Sequence, residues 1–156
     1  MERDTQAFLA ELENRHGSPV LWRTYATWYG NSMGYCREYG VFFYFCADRF
    51  HYQDFERTPA ILGLNFTRKK SPEPFVPYIG SFTTAQITAT RQVTKAQARR
   101  VVAGTLAAAA IPSPSVFIRF FRQTVQMLLL SDGSAHFFEL MDTKEFLTLL
   151  DTMETR

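Results

Sequence analysis

Apolar residues along the chain change their spacing several times, and each change marks an element. From Asp4 to Arg15 they recur at helical spacing. Phe8, Leu9 and Leu12 form one stripe, Glu11, Glu13 and Arg15 face water, and Gly17 and Pro19 mark the stop. Val20 to Tyr29, "VLWRTYATWY", is rich in β-branched and aromatic residues and reads as a strand, with "GNSMG" as the turn that follows. Tyr35 to Phe55 reads as two long strands broken at Ala47-Asp48-Arg49. The first carries Val41, Phe43 and Phe45 on one face and Phe42, Tyr44 and Cys46 on the other. A strand apolar on both faces needs a cover on its outer side. The N-terminal helix, an internal helix or another subunit could supply it.

After Arg57 the pattern weakens. "ILGLNF" reads as a short strand, "KKSPEPFVP" as an irregular loop with three prolines, and "YIGSFTTAQITATRQV" as one more strand. Thr94 is a cap for an Ala-rich helix over 94–111, ended by Ile111-Pro112. Gly104 falls in its middle, at a cost of about 1 kcal/mol relative to Ala, with close backbone packing as the expected reason. "SVFIRFFR", "TVQMLLL" and "AHFFEL" read as three successive strands, the last two joined by the turn Ser131-Asp132-Gly133-Ser134. Asp142 and Glu145 make a capping-box-like start to a final helix over 142–154. Phe146, Leu149, Leu150 and Met153 fall on one of its faces.

The expected fold class is therefore α+β: a bent antiparallel sheet or partly open barrel of about seven strands, capped by the C-terminal helix. It carries an N-terminal helical extension (1–17) and the inserted Ala-rich helix (94–111), in a single domain over 1–156. The hairpin from Gly40 through "VFFYF", Cys46-Ala47-Asp48 and Arg49-Phe50 to "HYQDF" resembles the second hairpin of pleckstrin-homology-like (PH-like) domains, GRAM-like and bacterial PH-like ones in particular. "TVQMLLLSDGSAHFFELMDTKEFLTLLDTM" is similar to their final hairpin and helix. The resemblance covers Val20–Phe55 and Val116–Met153. The inserted helix and the N-terminal helix depart from the pattern.

That resemblance implies recognition or scaffolding more than catalysis. Lipid-binding members hold an inositol phosphate with several Lys and Arg in the first inter-strand loop. Here "GNSMGYCRE" offers only Arg37 beside Glu38, and Arg68-Lys69-Lys70 is a possible substitute. Arg37, Arg68, Lys69 and Lys70 are thus weak binding candidates, and phosphoinositide or membrane-surface binding is disfavoured.

Charge narrows the partners further. Lys plus Arg total 17 against 15 Asp plus Glu, a net charge of +2 with no basic stripe, which argues against nucleic acid. Cys36 and Cys46 lack CxxC spacing or clustered histidines, so neither zinc nor a disulfide framework is expected, and no cofactor is implied. The charged N-terminus has no apolar signal region and "VVAGTLAAAAIP" is too short for a bilayer, so the expectation is a cytoplasmic protein.

Catalytic chemistry has little to stand on. Asp48, His51, Asp54 and Glu56 look like an acid/base cluster, but strand alternation sends His51 and Gln53 one way and Asp54 and Glu56 the other. Asp48 belongs to the turn. His16 reads as a helix cap, and His136 shares a face with Phe138 and Leu140. Arg119 and Arg122 would lie on opposite faces of a strand, with Glu139 as the expected ion-pair partner.

The resulting expectation is a non-enzymatic interaction module, binding a protein partner or itself through the apolar sheet face or the Ala-rich helix. The alternative is a small-molecule-binding protein or enzyme whose pocket is lined by Trp22, Trp28, Tyr29 and the Phe-rich strands.

Overall fold

The computed structural model describes residues 2–35, 38–54, 60–61, 64–65, 76–112 and 114–154. The elements run α1 (Glu2–His16), β1 (Val20–Asn31), β2 (Tyr39–Cys46), β3 (Arg49–Asp54), β4 (Ala60–Ile61), β5 (Leu64–Asn65), β6 (Ile79–Thr83), β7 (Ile87–Thr94), α2 (Lys95–Val102), α3 (Val116–Phe121), β8 (Thr124–Leu130), β9 (Ala135–Leu140) and α4 (Thr143–Glu154). Seven strands form one antiparallel sheet in the order β6-β3-β2-β1-β9-β8-β7, and β4 pairs with β5 in a separate ribbon. The α+β class, the sheet, the terminal helices and an inserted helix are as the sequence predicts.

Strands β6 and β7 are consecutive in sequence yet occupy opposite edges of the sheet. Only the 3₁₀ turn Thr84–Gln86 joins them. Three residues span roughly 10 Å, so the sheet must bend until its two edges approach at this corner. The stretch 78–93 is therefore two strands with a break at Thr84, where the sequence reading has one.

The inner face of this bent sheet holds the main core: Trp22, Trp28, Val41, Phe43, Phe50, Tyr52, Phe82, Leu128 and Phe138. Helix α4 closes it with Phe146 and Leu150. Asp142 Oδ1 accepts the Glu145 amide at 3.0 Å, the cap expected from sequence. The Glu145 carboxylate does not complete the box; it accepts the Trp22 indole N–H at 3.1 Å and ties α4 to β1.

Two helices cover the outer face. Leu12 of α1 packs with Phe42, Tyr44 and Cys46, joined by Phe8, Leu9 and Val20. The cover that the doubly apolar β2 demands thus comes from the chain's own N-terminal helix. Fully burying Leu12 contributes roughly 2 kcal/mol. Helix α2 buries Ala98, Val101 and Val102 against Tyr29, Val93, Val125, Met127 and Phe137.

Helix α2 is shorter than the 94–111 helix predicted. Thr94 and Gln97 form the expected start as a full capping box. Gly104, however, is left-handed (φ +73°) and ends the helix: its N–H reaches Val101 O at 2.9 Å and Thr105 N–H reaches Arg100 O at 2.8 Å. That pair of bonds is a Schellman cap, where glycine is favoured because it alone carries no Cβ strain.

The segment 115–122 corrects the sequence reading outright, since residues 116–121 form helix α3. Ser115 caps it, accepting the Ile118 amide at 3.3 Å. A continuous apolar run fits a helix or a strand equally by periodicity. The cap, and a sheet already filled by β7–β8 pairing, decide for the helix. Among the described residues no helix is long and apolar enough to cross a membrane.

Candidate functional site

Strand β7 is an edge of the sheet, and an open cleft of about 340 Å³ lies against it. The cleft is lined by Thr90, Arg91, Gln92, Pro114, Arg119, Gln126 and Leu147. Successive strand residues point to opposite faces, so a cleft touching Thr90, Arg91 and Gln92 in a row runs along the strand's edge. Leu147 of α4, Arg119 of α3 and Gln126 of β8, which pairs with Gln92, complete the lining. The Gln126 side chain is 3% exposed, and its Oε1 has no hydrogen-bond partner among the described residues. A buried amide oxygen without a donor costs about 1–3 kcal/mol, an expense a bound N–H would remove. A second cleft of about 260 Å³ is lined by Thr84, Ala85 and Ile87 at the start of the same strand and by Leu150 and Met153 of α4.

The turn Ser131–Ser134 leads into the one Ser–His contact among the described hydrogen bonds. Ser134 Oγ donates to Asp132 Oδ1 at 2.6 Å and lies 3.4 Å from His136 Nε2. The serine, not the histidine, is in the middle of this chain, and its proton is directed to Asp132. A nucleophile needs the reverse order, with imidazole taking the hydroxyl proton. Burial pushes the His136 pKa down to about 4, and Ser134 is itself buried. Asp132 Oδ1 also accepts the Ser134 amide at 2.8 Å, so the arrangement is an Asx turn that holds the hairpin.

Under α1, His16 Nε2 and the Tyr44 hydroxyl are 3.0 Å apart, and the His16 and His51 rings are 4.3 Å apart. His16 is thus a packing residue of α1, where the sequence reading made it a cap. His51 Nε2 lies 3.3 Å from Cys46 O. Burial pushes the Tyr44 pKa up to about 12 and raises that of the Cys46 thiol, whose Sγ lies 3.2 Å from Ser18 O. A thiol held protonated is a poor nucleophile.

The remaining sequence candidates scatter. His51 is on the outer face and Asp54 bonds the Tyr78 backbone, so the separation expected from alternation holds; Asp48 sits in the left-handed turn Ala47-Asp48. Trp22 and Trp28 face the inner core and Tyr29 the outer one, so they do not line one pocket. Glu139 accepts the Tyr29 hydroxyl at 2.5 Å, while Arg119 and Arg122 stand exposed at α3. Arg37, Arg68, Lys69, Lys70, Cys36 and Glu56 lie outside the described residues. Among the described residues no three His, Cys, Asp or Glu side chains gather as metal ligands.

Sequence reasoning missed the cleft. Its one local signal is Gln126, a polar residue interrupting the apolar run "TVQMLLL". Comparison of the chain with known protein families, with curated proteins and with solved structures finds no match.

Proposed function

We propose that this protein is a non-enzymatic interaction module of PH-like type that binds an extended segment of a partner protein along β7. The observation that carries the reading is Gln126, a buried polar residue in the lining of a cleft beside an edge strand, whose Oε1 has no hydrogen-bond partner among the described residues. An added strand supplies backbone N–H groups at such an edge, and pockets beside it select side chains. The strand order supports the PH-like part: β1, β2, β3 and β6 lie in sequence order outward from β1, β9 to β7 continue on its other side, and α4 crosses the inner face. A cytoplasmic location fits this reading.

The docking surface differs from those expected from sequence. The outer face of β2 is occupied by α1, and the buried residues of α2 are spent against the sheet. A small molecule bearing an N–H donor is the second reading, favoured by the same Gln126 oxygen.

Peptide-display selection on the full chain tests the proposal, with hits measured by fluorescence polarisation on the wild type and on Leu147→Arg, which fills the cleft. Selected peptides should lose at least tenfold in affinity on the variant, provided its thermal midpoint is kept. Selection that yields only peptides indifferent to Leu147→Arg and to Gln126→Leu would sink it.

A further inference from the structure

Helices α1 and α2 leave part of the sheet's outer face open on β1 and β9. A cleft of about 270 Å³ lies there, lined by Tyr25, Ala26, Thr27, Glu139, Leu140 and Met141. Strand alternation puts Tyr25 and Thr27 on the same face as Tyr29, and Glu139 and Met141 on the same face as Phe137. Thr27 pairs directly with Glu139, and the Met141 amide donates to Tyr25 O at 3.1 Å, so the four side chains form one patch across two neighbouring strands. Two of them present apolar surface to solvent: Tyr25 is 50% exposed and Met141 80%.

The carboxylate in this patch is held from one side. Glu139 Oε2 accepts the Tyr29 hydroxyl at 2.5 Å, and Lys95 Nζ lies 4.8 Å from the Tyr29 ring centroid. Lys95 itself pairs with Glu38 at 3.6 Å, and among the described residues no cation is within ion-pair distance of Glu139. Arg23 is the next charge along that face of β1, about 13 Å from Thr27 at strand spacing and beyond Tyr25. Glu139 Oε1 and the Thr27 hydroxyl have no hydrogen-bond partner among the described residues. An edge contact with Phe42, at 5.6 Å between centroids, orients the Tyr25 ring.

We propose that this patch is a docking site for a lysine side chain of a partner protein, its ammonium group bound by Glu139 Oε1 and the Thr27 hydroxyl and its alkyl stem lying across Tyr25 and Met141. A carboxylate with no cation beside it calls for a positive occupant, and the flanking ring and thioether call for one with an apolar stem. A hard metal ion needs several oxygen ligands, and the patch has one carboxylate. An ammonium also fits better than a guanidinium. The arginine fork takes both oxygens of a carboxylate, and Tyr29 already holds one of them; an ammonium needs one at a time. Magnitude decides the source. One half-exposed ion pair and one aromatic contact together strengthen binding by about tenfold. That is too little to hold a free amine from dilute solution, so the lysine belongs to a chain that makes further contacts. The patch shares no lining residue with the β7 cleft, and the inference does not depend on that reading.

Nuclear magnetic resonance titration of the full chain with the end-blocked peptide Gly-Ser-Lys-Ser-Gly tests it, with the Met141 methyl and the Thr27 amide as reporters. Both signals should shift saturably, with half-saturation below about 50 mM. The same peptide carrying Nε-acetyl-lysine should bind about fivefold more weakly, and the arginine peptide about threefold. Butylammonium, the same head group without a peptide, should also bind about threefold more weakly. Glu139→Gln keeps an acceptor for Tyr29 and should weaken the lysine peptide about fivefold; Tyr25→Leu should weaken it about threefold. Thermal midpoints check that both variants fold, and if Glu139→Gln does not, Tyr25→Leu carries the test. No saturable shift, an acetyl-lysine or arginine peptide that binds as tightly as the lysine one, or a folded variant with wild-type affinity would each overturn the proposal. Butylammonium binding as tightly as the lysine peptide would overturn it in favour of a free amine.

Discussion

His16, the last residue of α1, packs against His51 of β3 with ring centroids 4.3 Å apart and the rings tilted by 40°, and its Nε2 meets the Tyr44 hydroxyl at 3.0 Å. The contact joins the N-terminal helix to the sheet. Burial lowers the pKa of both imidazoles; Arg15 adds to this at His16, and His16 itself adds to it at His51. Arg49 on β3 reinforces the repulsion, while Glu11 is taken by Arg15 and Glu13 by the Val20 amide.

The undocked imidazoles therefore bind protons more readily than the docked pair. Docking of α1 is fully favoured above pH 6.5, the ordinary histidine value, and weakens as pH falls through the lowered values. Hydrogen exchange of α1 amides, corrected for intrinsic rates, should show lower protection at pH 5 than at pH 7.5. His16→Gln should flatten that difference. Equal protection of α1 at both pH values would refute the coupling.

His136 extends the same logic to the core. Its pKa falls from 6.5 to about 4 on folding, because burial penalises the charged ring. Between those values the unfolded chain binds the proton and the native one does not, so stability declines as pH drops from 6.5 and the whole contribution is gone below about 4. The total is on the order of 3 kcal/mol. Denaturant melts across that range should show the slope, and His136→Leu should remove most of it.

Gly80 of β6 pairs with Tyr52 of β3, whose ring lies across the space a side chain would take. A Cβ at position 80 would lie 2.2 Å from Tyr52 Cζ and 2.3 Å from its hydroxyl oxygen, so the Tyr52 ring must shift to admit it. Gly80→Ala should cost roughly 1–3 kcal/mol in chemical denaturation. Combining it with Tyr52→Val should restore part of the loss, a non-additivity that simple strand propensity does not produce.

Gly104 separates two accounts of the Ala-rich segment. In a helix interior, Gly104→Ala would stabilise by about 1 kcal/mol. In the left-handed Schellman position the same change should destabilise by roughly 1–2 kcal/mol, with no gain in helical content by circular dichroism. Open space around the position removes steric clash as a competing explanation.

Some of this architecture was written locally in the chain. The caps at Thr94 and Asp142, the Ser131–Ser134 turn and the apolar face of α4 each depend on residues within about one turn of one another, so short-range chemistry determines them. The doubly apolar β2 likewise announced that a cover must exist. Which element covers it was not local, because α1 meets β2 only once the hairpin has folded back beneath it.

The tertiary structure alone decided the rest. "SVFIRFF" has no period to distinguish helix from strand, and it became α3 because Ser115 caps it and the neighbouring strands pair with each other. The Gly104 cap depended on a backbone conformation that the helical pattern did not disclose. Strands β6 and β7 came to opposite edges only through the bend of the whole sheet, and that bend leaves β7 open. The cleft then joins Gln92, Arg119, Gln126 and Leu147, which belong to four different elements. Sequence determined the elements by contacts within a few residues; the candidate site arose from long-range closure, which no local pattern encodes.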